Sequence, residues 1–311
     1  WCHEDLHAAK SEIAQVRQVA RSTLPPNQLF NMSNPADLLQ TWLTRQLTGD
    51  AATWLAESLA TLQSDSSDRT FYKLFGFVPR KIGKEDLQLE EKDLADADAA
   101  RPGWNPSGWS VDQTARLLLL LRSQTDPQQL FERSEQLFLT ADVGELVALY
   151  RGLPLYPQPE LYAKRGPEGL RTNIKSVFEA IAHRNPFPRE QFSGPEWNQM
   201  VLKALFIGSE LAPIQGLDER TNAALARMLI DFAHERWAAG RSVPPELWRC
   251  VGPHADDQAI ADLTKVLSEG SEPERKAAAL ALSASGHPTA KTALSAASDL
   301  AAAISKGELA W

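Results

Sequence analysis

The sequence predicts an all-α fold: a curved superhelix of stacked antiparallel helix pairs, HEAT-like at its C-terminal end. Three observations lead there. Apolar residues recur at three- and four-residue spacing along almost the whole chain, while the strict alternation of a half-buried strand is nearly absent. Gly and Pro fall between the periodic stretches and close them. Towards the end the periodic stretches shorten and their contact positions become small residues, as in helical repeats.

The elements follow in order. Leu38, Leu39, Trp42, Leu43 and Leu47 form a first stripe, with Asn34 as N-cap and Pro35 in the first turn. Asp50 caps a second helix, whose buried side carries Trp54, Leu55, Leu59 and Leu62. Residues 64–68 read as a mobile polar linker. Phe71, Leu74, Phe75 and Val78 repeat the helical spacing as far as Pro79. Residues 84–100 are acidic and alanine-rich, the composition of a solvated helix on the rim. Ser110 and Gln113 have capping-box spacing and open a helix containing the leucine run 117–121. Asp126-Pro127 opens the next, with Leu130, Phe131, Leu137 and Phe138 inside, and Val143, Leu146, Val147 and Tyr150 resume after a break.

Pro154, Pro157 and Pro159 then interrupt the chain. A long helix is expected over 168–184, stopped by Asn185-Pro186, and another from Pro195 to about Gly208. The longest candidate spans 218–240, with Leu225, Met228, Leu229 and Phe232 facing inward and Gly240 as its stop. Short helices over 259–267 and 277–282, and one starting at His287-Pro288, read as stacked hairpins. One domain over 1–311 is the simplest organisation. The proline-rich residues 152–160 are the place for a joint between an N-terminal half, 1–150, and a C-terminal half, 160–311, whose HEAT-like helices span 256–303.

Composition excludes several function classes. A net charge of −8 without a basic block argues against a nucleic-acid surface, which needs clustered Lys and Arg. No apolar run approaches the roughly 18 residues of a membrane span, so membrane insertion is not expected. Cys2 and Cys250 make neither a disulfide framework nor a zinc site. Trp1-Cys2-His3-Glu4-Asp5 lacks the basic and apolar parts of a signal peptide, which favours the cytoplasm. With no Walker loop or dinucleotide fingerprint, no cofactor is expected.

Two stretches concentrate polar chemistry. One runs from Arg171-Thr172-Asn173 to His183-Arg184-Asn185-Pro186, the other from His234-Glu235-Arg236-Trp237 to Leu247-Trp248-Arg249. His183, His234 and His254 lack metal-ligand spacing and read as bridges between helices or as ligand contacts. Glu179 lies four residues before His183, and Asp231 can reach both Arg227 and His234 along one helix face. Such carboxylate–imidazole pairs serve either as structural bridges or as acid/base dyads. Nine Trp against four Tyr supply core bulk or a flat wall for an apolar ligand. Cys250 sits beside Arg249, which lowers a thiol pKa, but a structural cysteine is the simpler reading. Asp256-Asp257 reads as a helix N-cap.

Several segments together resemble one family. They are Gly169-Leu170-Arg171-Thr172-Asn173, the run from Val177-Phe178-Glu179 to Arg184-Asn185-Pro186, Trp197-Asn198-Gln199-Met200-Val201-Leu202-Lys203, Ala233-His234-Glu235-Arg236-Trp237 and Glu246-Leu247-Trp248-Arg249. The chain looks like the EboA family of bacterial metabolite traffic clusters, most specifically over 169–253 and loosely over nearly its whole length. The resemblance implies an intracellular helper in the making or export of a secondary metabolite. It carries over no catalytic residue. The expectation is a non-catalytic binding and handover protein whose ligand contacts come from Arg171, Asn173, His183, Arg184, Asn185, Asn198, Lys203, His234, Arg236, Trp237, Trp248 and Arg249. Its partners would be a small-molecule metabolite precursor and proteins of the same pathway. An enzyme using His183 and His234 as acid and base, or a protein–protein adaptor, are the alternatives.

Overall fold

The computed structural model describes residues 34–311. Readings that fall on Trp1-Cys2-His3-Glu4-Asp5 lie outside the described residues. Every regular element among the described residues is helical, and the only pairings of strand type are two isolated bridges, Asp86 with Ser110 and His183 with Ile214.

Helices α1 (Pro35–Gln46), α2 (Gly49–Ser64), α3 (Asp68–Lys81) and α4 (Glu91–Ala100) precede α5 (Val111–Ser123). The five consecutive leucines put apolar side chains on every face of the C-terminal half of α5, and it becomes the central helix. It packs on α1, α2 and α3, and on α6 (Pro127–Thr140) and α7 (Val143–Arg151) behind it, with Leu117, Leu118, Leu119 and Leu120 at zero exposure. The Ser110–Gln113 capping box and the Asp126 cap, whose carboxylate accepts from the Gln129 N–H at 2.9 Å, form as the spacing predicts. Four details differ. Asp50 does not cap α2, which opens at Gly49 after the N-cap residue Thr48 and holds Asp50 within its first turn. Pro79 does not end α3, because a proline in the last turn removes only one N–H and the helix runs on to Lys81. Residues 64–68 form a tied turn: Asp65 accepts from the Ser67 N–H, and Arg133 reaches the Ser66 carbonyl and the Asp68 carboxylate. Residues 84–90 are not helical. Leu87 is buried and donates to the Trp109 carbonyl, while α4 turns Asp93 inward to a bidentate pair with Arg45.

The proline-rich stretch makes two 3-10 turns, Leu153–Leu155 and Pro159–Tyr162, and buries Leu153, Tyr156 and Tyr162. The expected helix over 168–184 is broken into α8 (Arg165–Gly169) and α9 (Lys175–Ala182). Gly169 lies against the Tyr150 ring, where an added Cβ would stand 2.3 Å from Cζ. Beyond it Lys203 captures the Leu170 and Thr172 carbonyls, which a continuous helix would need for itself.

After α10 (Phe187–Gln191) and α11 (Gly194–Phe206), the helix expected from residue 218 begins only at Ala223, as α12 (Ala223–Ala238). Asn222 caps it, accepting from the Leu225 N–H, and Asp218 is instead drawn to Arg249. Helices α13 (Leu247–Val251), α14 (Asp257–Glu269), α15 (Glu272–Ala284), α16 (Ala290–Ser295) and α17 (Ser298–Ser305) complete the chain. Here α15 is the centre, touching α13, α14, α16, α17 and the 3-10 turn Gly252–His254. Its Ala277, Ala278, Ala279 and Ala281 let neighbours approach closely. Gly252 comes so near that an added Cβ would stand 2.5 Å from the Ala281 carbonyl oxygen.

Candidate functional site

The break between α8 and α9 borders a surface cleft. Residues 167–171 face α11 across an open cleft of about 490 Å³, lined by Pro167, Leu170, Arg171, Pro195, Glu196, Gln199, Met200 and Lys203. Four of these make an apolar floor and four are polar. That volume and that mixture match small-molecule sites.

The polar groups differ in availability. Glu196 closes the capping box of α11, its Oε2 accepting from the Ser193 N–H at 2.8 Å and hydroxyl at 2.7 Å. The Lys203 ammonium donates to the carbonyls of Leu170 and Thr172, the latter at 2.7 Å, and burial lowers its pKa from the ordinary lysine value. Lys203 therefore holds the cleft wall in place. Among the described residues the side chains of Arg171 and Gln199 make no hydrogen bond or salt bridge. They are the groups left to meet a ligand.

His183 caps the end of α9. Its Nε2 lies 2.9 Å from the Glu210 carbonyl and 3.1 Å from the Ser209 hydroxyl, and Ser209 donates to Glu179 at 2.9 Å. An Nε2–H tautomer satisfies the carbonyl, so the imidazole does not act as base toward Ser209. Burial lowers the His183 pKa, against the raising effects of the Glu210 carbonyl and Glu179. The predicted Glu179–His183 pairing thus runs through Ser209. The next residue, Arg184, has φ +50° and sends its backbone N–H to the Pro213 carbonyl. Asn185 is buried; its amide donates to the Tyr150 and Ala180 carbonyls and accepts from the Phe187 N–H.

The second polar stretch assembles around α12. His234 Nε2 bonds Asp262 of α14 at 2.7 Å, not the expected Asp231, which points to solvent one turn away. Gln258 donates to the other oxygen of Asp262. His234, Trp237 and Trp248 stack in series with centroids 5.7 and 5.9 Å apart, and Lys265 lies over Trp237. Trp248 has no exposed surface. Arg236 donates to the Ser242 carbonyl and Arg249 forms a bidentate pair with Asp218, both contacts at 2.6 Å. Asn198 exchanges amide hydrogen bonds with Asn222. Burial pushes the Cys250 thiol up to about 12, outweighing the lowering effect of Arg249.

Of the twelve residues singled out in the sequence, the cleft gathers Arg171 and Lys203. His183 and His234 belong to separate networks with no shared hydrogen-bond partner. Asn173 is exposed beside the cleft-wall residue Thr172. Sequence reasoning missed Glu196, Gln199 and Met200, although 196, 199 or 200, and 203 share one face of α11 and read as a polar stripe flanking a methionine. It also missed Ser209 and Asp262 as histidine partners. No group of three or more His, Cys, Asp or Glu among the described residues stands close enough to hold a metal, and no described helix is long and apolar enough to cross a membrane.

The chain matches the family described as metabolite traffic protein EboA over residues 35–252, and it belongs to that family. The match contains the whole cleft. Neither the curated proteins nor the solved structures give a match to this chain.

Proposed function

We propose that this member of the metabolite traffic family is a non-catalytic, cytoplasmic binding and handover protein for a secondary-metabolite precursor, which it holds in the cleft between residues 167–171 and α11. One observation carries the reading: the Arg171 guanidinium and the Gln199 amide have no hydrogen-bond or salt-bridge partner among the described residues, beside an apolar floor of Pro167, Leu170, Pro195 and Met200. Folding ties His183 to Glu210 and Ser209, and His234 to Asp262, and among the cleft's polar side chains it leaves these two without a partner among the described residues. A binding role rather than catalysis is supported by the state of the reactive groups. The Ser209 proton goes to Glu179, and the Cys250 thiol is buried and held protonated.

The test is native mass spectrometry of the full chain after incubation with a small-molecule extract of cells that make the metabolite. A single retained species, recovered chemically unchanged and lost in Arg171→Gln, is the expected result. No retained species, a converted species, or retention indifferent to Arg171→Gln would overturn the proposal. Circular dichroism of the variant checks that the fold is intact.

A further inference from the structure

Five large apolar side chains are exposed among the described residues, and two of them, Phe206 at 75% and Ile174 at 42%, lie three residues beyond the cleft-lining Lys203 and Arg171 on the two segments that wall the cleft. Their placement follows from the local hydrogen bonds. Gln199, Lys203 and Phe206 lie at i, i+4 and i+7 on one face of α11. At the rise of an α-helix, Phe206 is about 10 Å further along the axis than Gln199. Residues 170–175 run beside α11 in the same direction: Lys203 meets the Leu170 and Thr172 carbonyls, and further on the Lys175 ammonium donates to the Gly208 carbonyl at 2.7 Å. Ile174 and Phe206 therefore flank the path that leaves the cleft. Between the free polar groups and these apolar side chains lies the methylene stem of Lys203, whose charged end is turned to the carbonyls.

We propose that the ligand is an anionic amphiphile. An oxyanion head group sits against Arg171 and Gln199, and an apolar chain passes over the Lys203 stem to lie on Phe206 and Ile174. The inference rests on the reading that the cleft binds the transported metabolite, and adds its chemical class and its orientation. Arginine suits the head because its planar fork matches a carboxylate or phosphate. The chain explains why α11 ends in an exposed phenyl ring on the same face as the cleft.

The test is calorimetric titration of the full chain with sodium alkanoates from hexanoate to dodecanoate, kept below micelle formation, and with the matching 1-alkanols. Each added methylene should tighten alkanoate binding about fourfold until the chain has covered Phe206, the factor that about 0.8 kcal/mol per buried methylene gives. The alkanols should bind at least about tenfold more weakly, the worth of one charge-assisted contact. Arg171→Gln should bring alkanoates down to the alkanols. Phe206→Ser, and independently Ile174→Ser, should abolish the gain for the longest acids and leave hexanoate unchanged. Affinity flat with chain length, equal for acid and alcohol, or unmoved by both serine variants overturns the inference, and the last outcome assigns the patch to a protein partner. If the extract still yields an adduct sensitive to Arg171→Gln while the alkanoates show no length dependence, the binding role stands and the amphiphile fails. If nothing binds in either experiment, both fail.

Discussion

Around α12, His234 is held by Asp262, Arg249 by Asp218, Arg236 by the Ser242 carbonyl, and Asn198 by Asn222. In the cleft beside α11, Arg171 and Gln199 have no such partner among the described residues. Both regions are rich in the same residue types. One uses them to fix helices to each other; the other fixes its wall with Lys203 and leaves two groups beside an apolar floor. The lesson is that a polar residue's type says less about function than the hydrogen-bonding capacity that folding leaves over.

Substitutions can break that contrast. The engaged residues should lose stability, and the free ones should lose only binding. Asn185→Leu removes the side-chain partner of the Ala180 carbonyl and the Phe187 N–H in the interior, each costing about 1–3 kcal/mol, and one of the two donors to the Tyr150 carbonyl, so urea denaturation should show a loss of about 4 kcal/mol. Gly252→Ala drives a methyl into the Ala281 backbone, which cannot swing aside as a side chain can, and should cost about 3 kcal/mol in the same experiment.

The His183 clamp should show itself as a pH dependence. Burial puts the folded-state pKa of His183 below the ordinary 6.5, so the unfolded chain takes up its proton first as pH falls. Stability from this group is then complete above about pH 6.5 and is lost as pH drops below it, levelling once the folded-state pKa is passed. The slope cannot exceed about 1.4 kcal/mol per pH unit, and His183→Gln should remove it. Denaturation midpoints at pH 7.5, 6 and 5 check this; an unchanged slope in the variant would mean other groups carry it.

Arg249→Ala removes a bidentate pair whose Asp218 partner is largely solvated and should cost less than about 1 kcal/mol. Smallest of all on stability is Arg171→Gln, within about 0.5 kcal/mol of the parent, although its effect on retained ligand should be the largest. An Arg171→Gln variant that is strongly destabilised would end the contrast, because it would show that the guanidinium supports the fold.

Much of the helical layout was legible because it is local. The capping box at Ser110 and the caps at Asp126 and Asp256 depend on residues three positions apart, and they form as read. The leucine run 117–121 showed a helix; that this helix is the central one appeared only in the packing. The break after Gly169 was not legible. It follows from Tyr150 packing on that glycine and from Lys203, thirty-one residues beyond Thr172, taking carbonyls out of the helix. The same distance hid the late start of α12, where Asp218 answers to Arg249 rather than to its own helix. For His234 the sequence offered Asp231 on the same helix, and the folded chain chose Asp262 on another.

The sequence by itself determined that the chain is helical, where most helices begin and end, and which residues carry unusual chemistry, because propensity, capping and periodicity act over a few residues. The tertiary structure alone decided which of those residues remain free to meet a ligand. The partners that satisfy His183, His234, Arg249 and Asn198 stand 24 to 31 positions away and come within hydrogen-bond range only when helices pack.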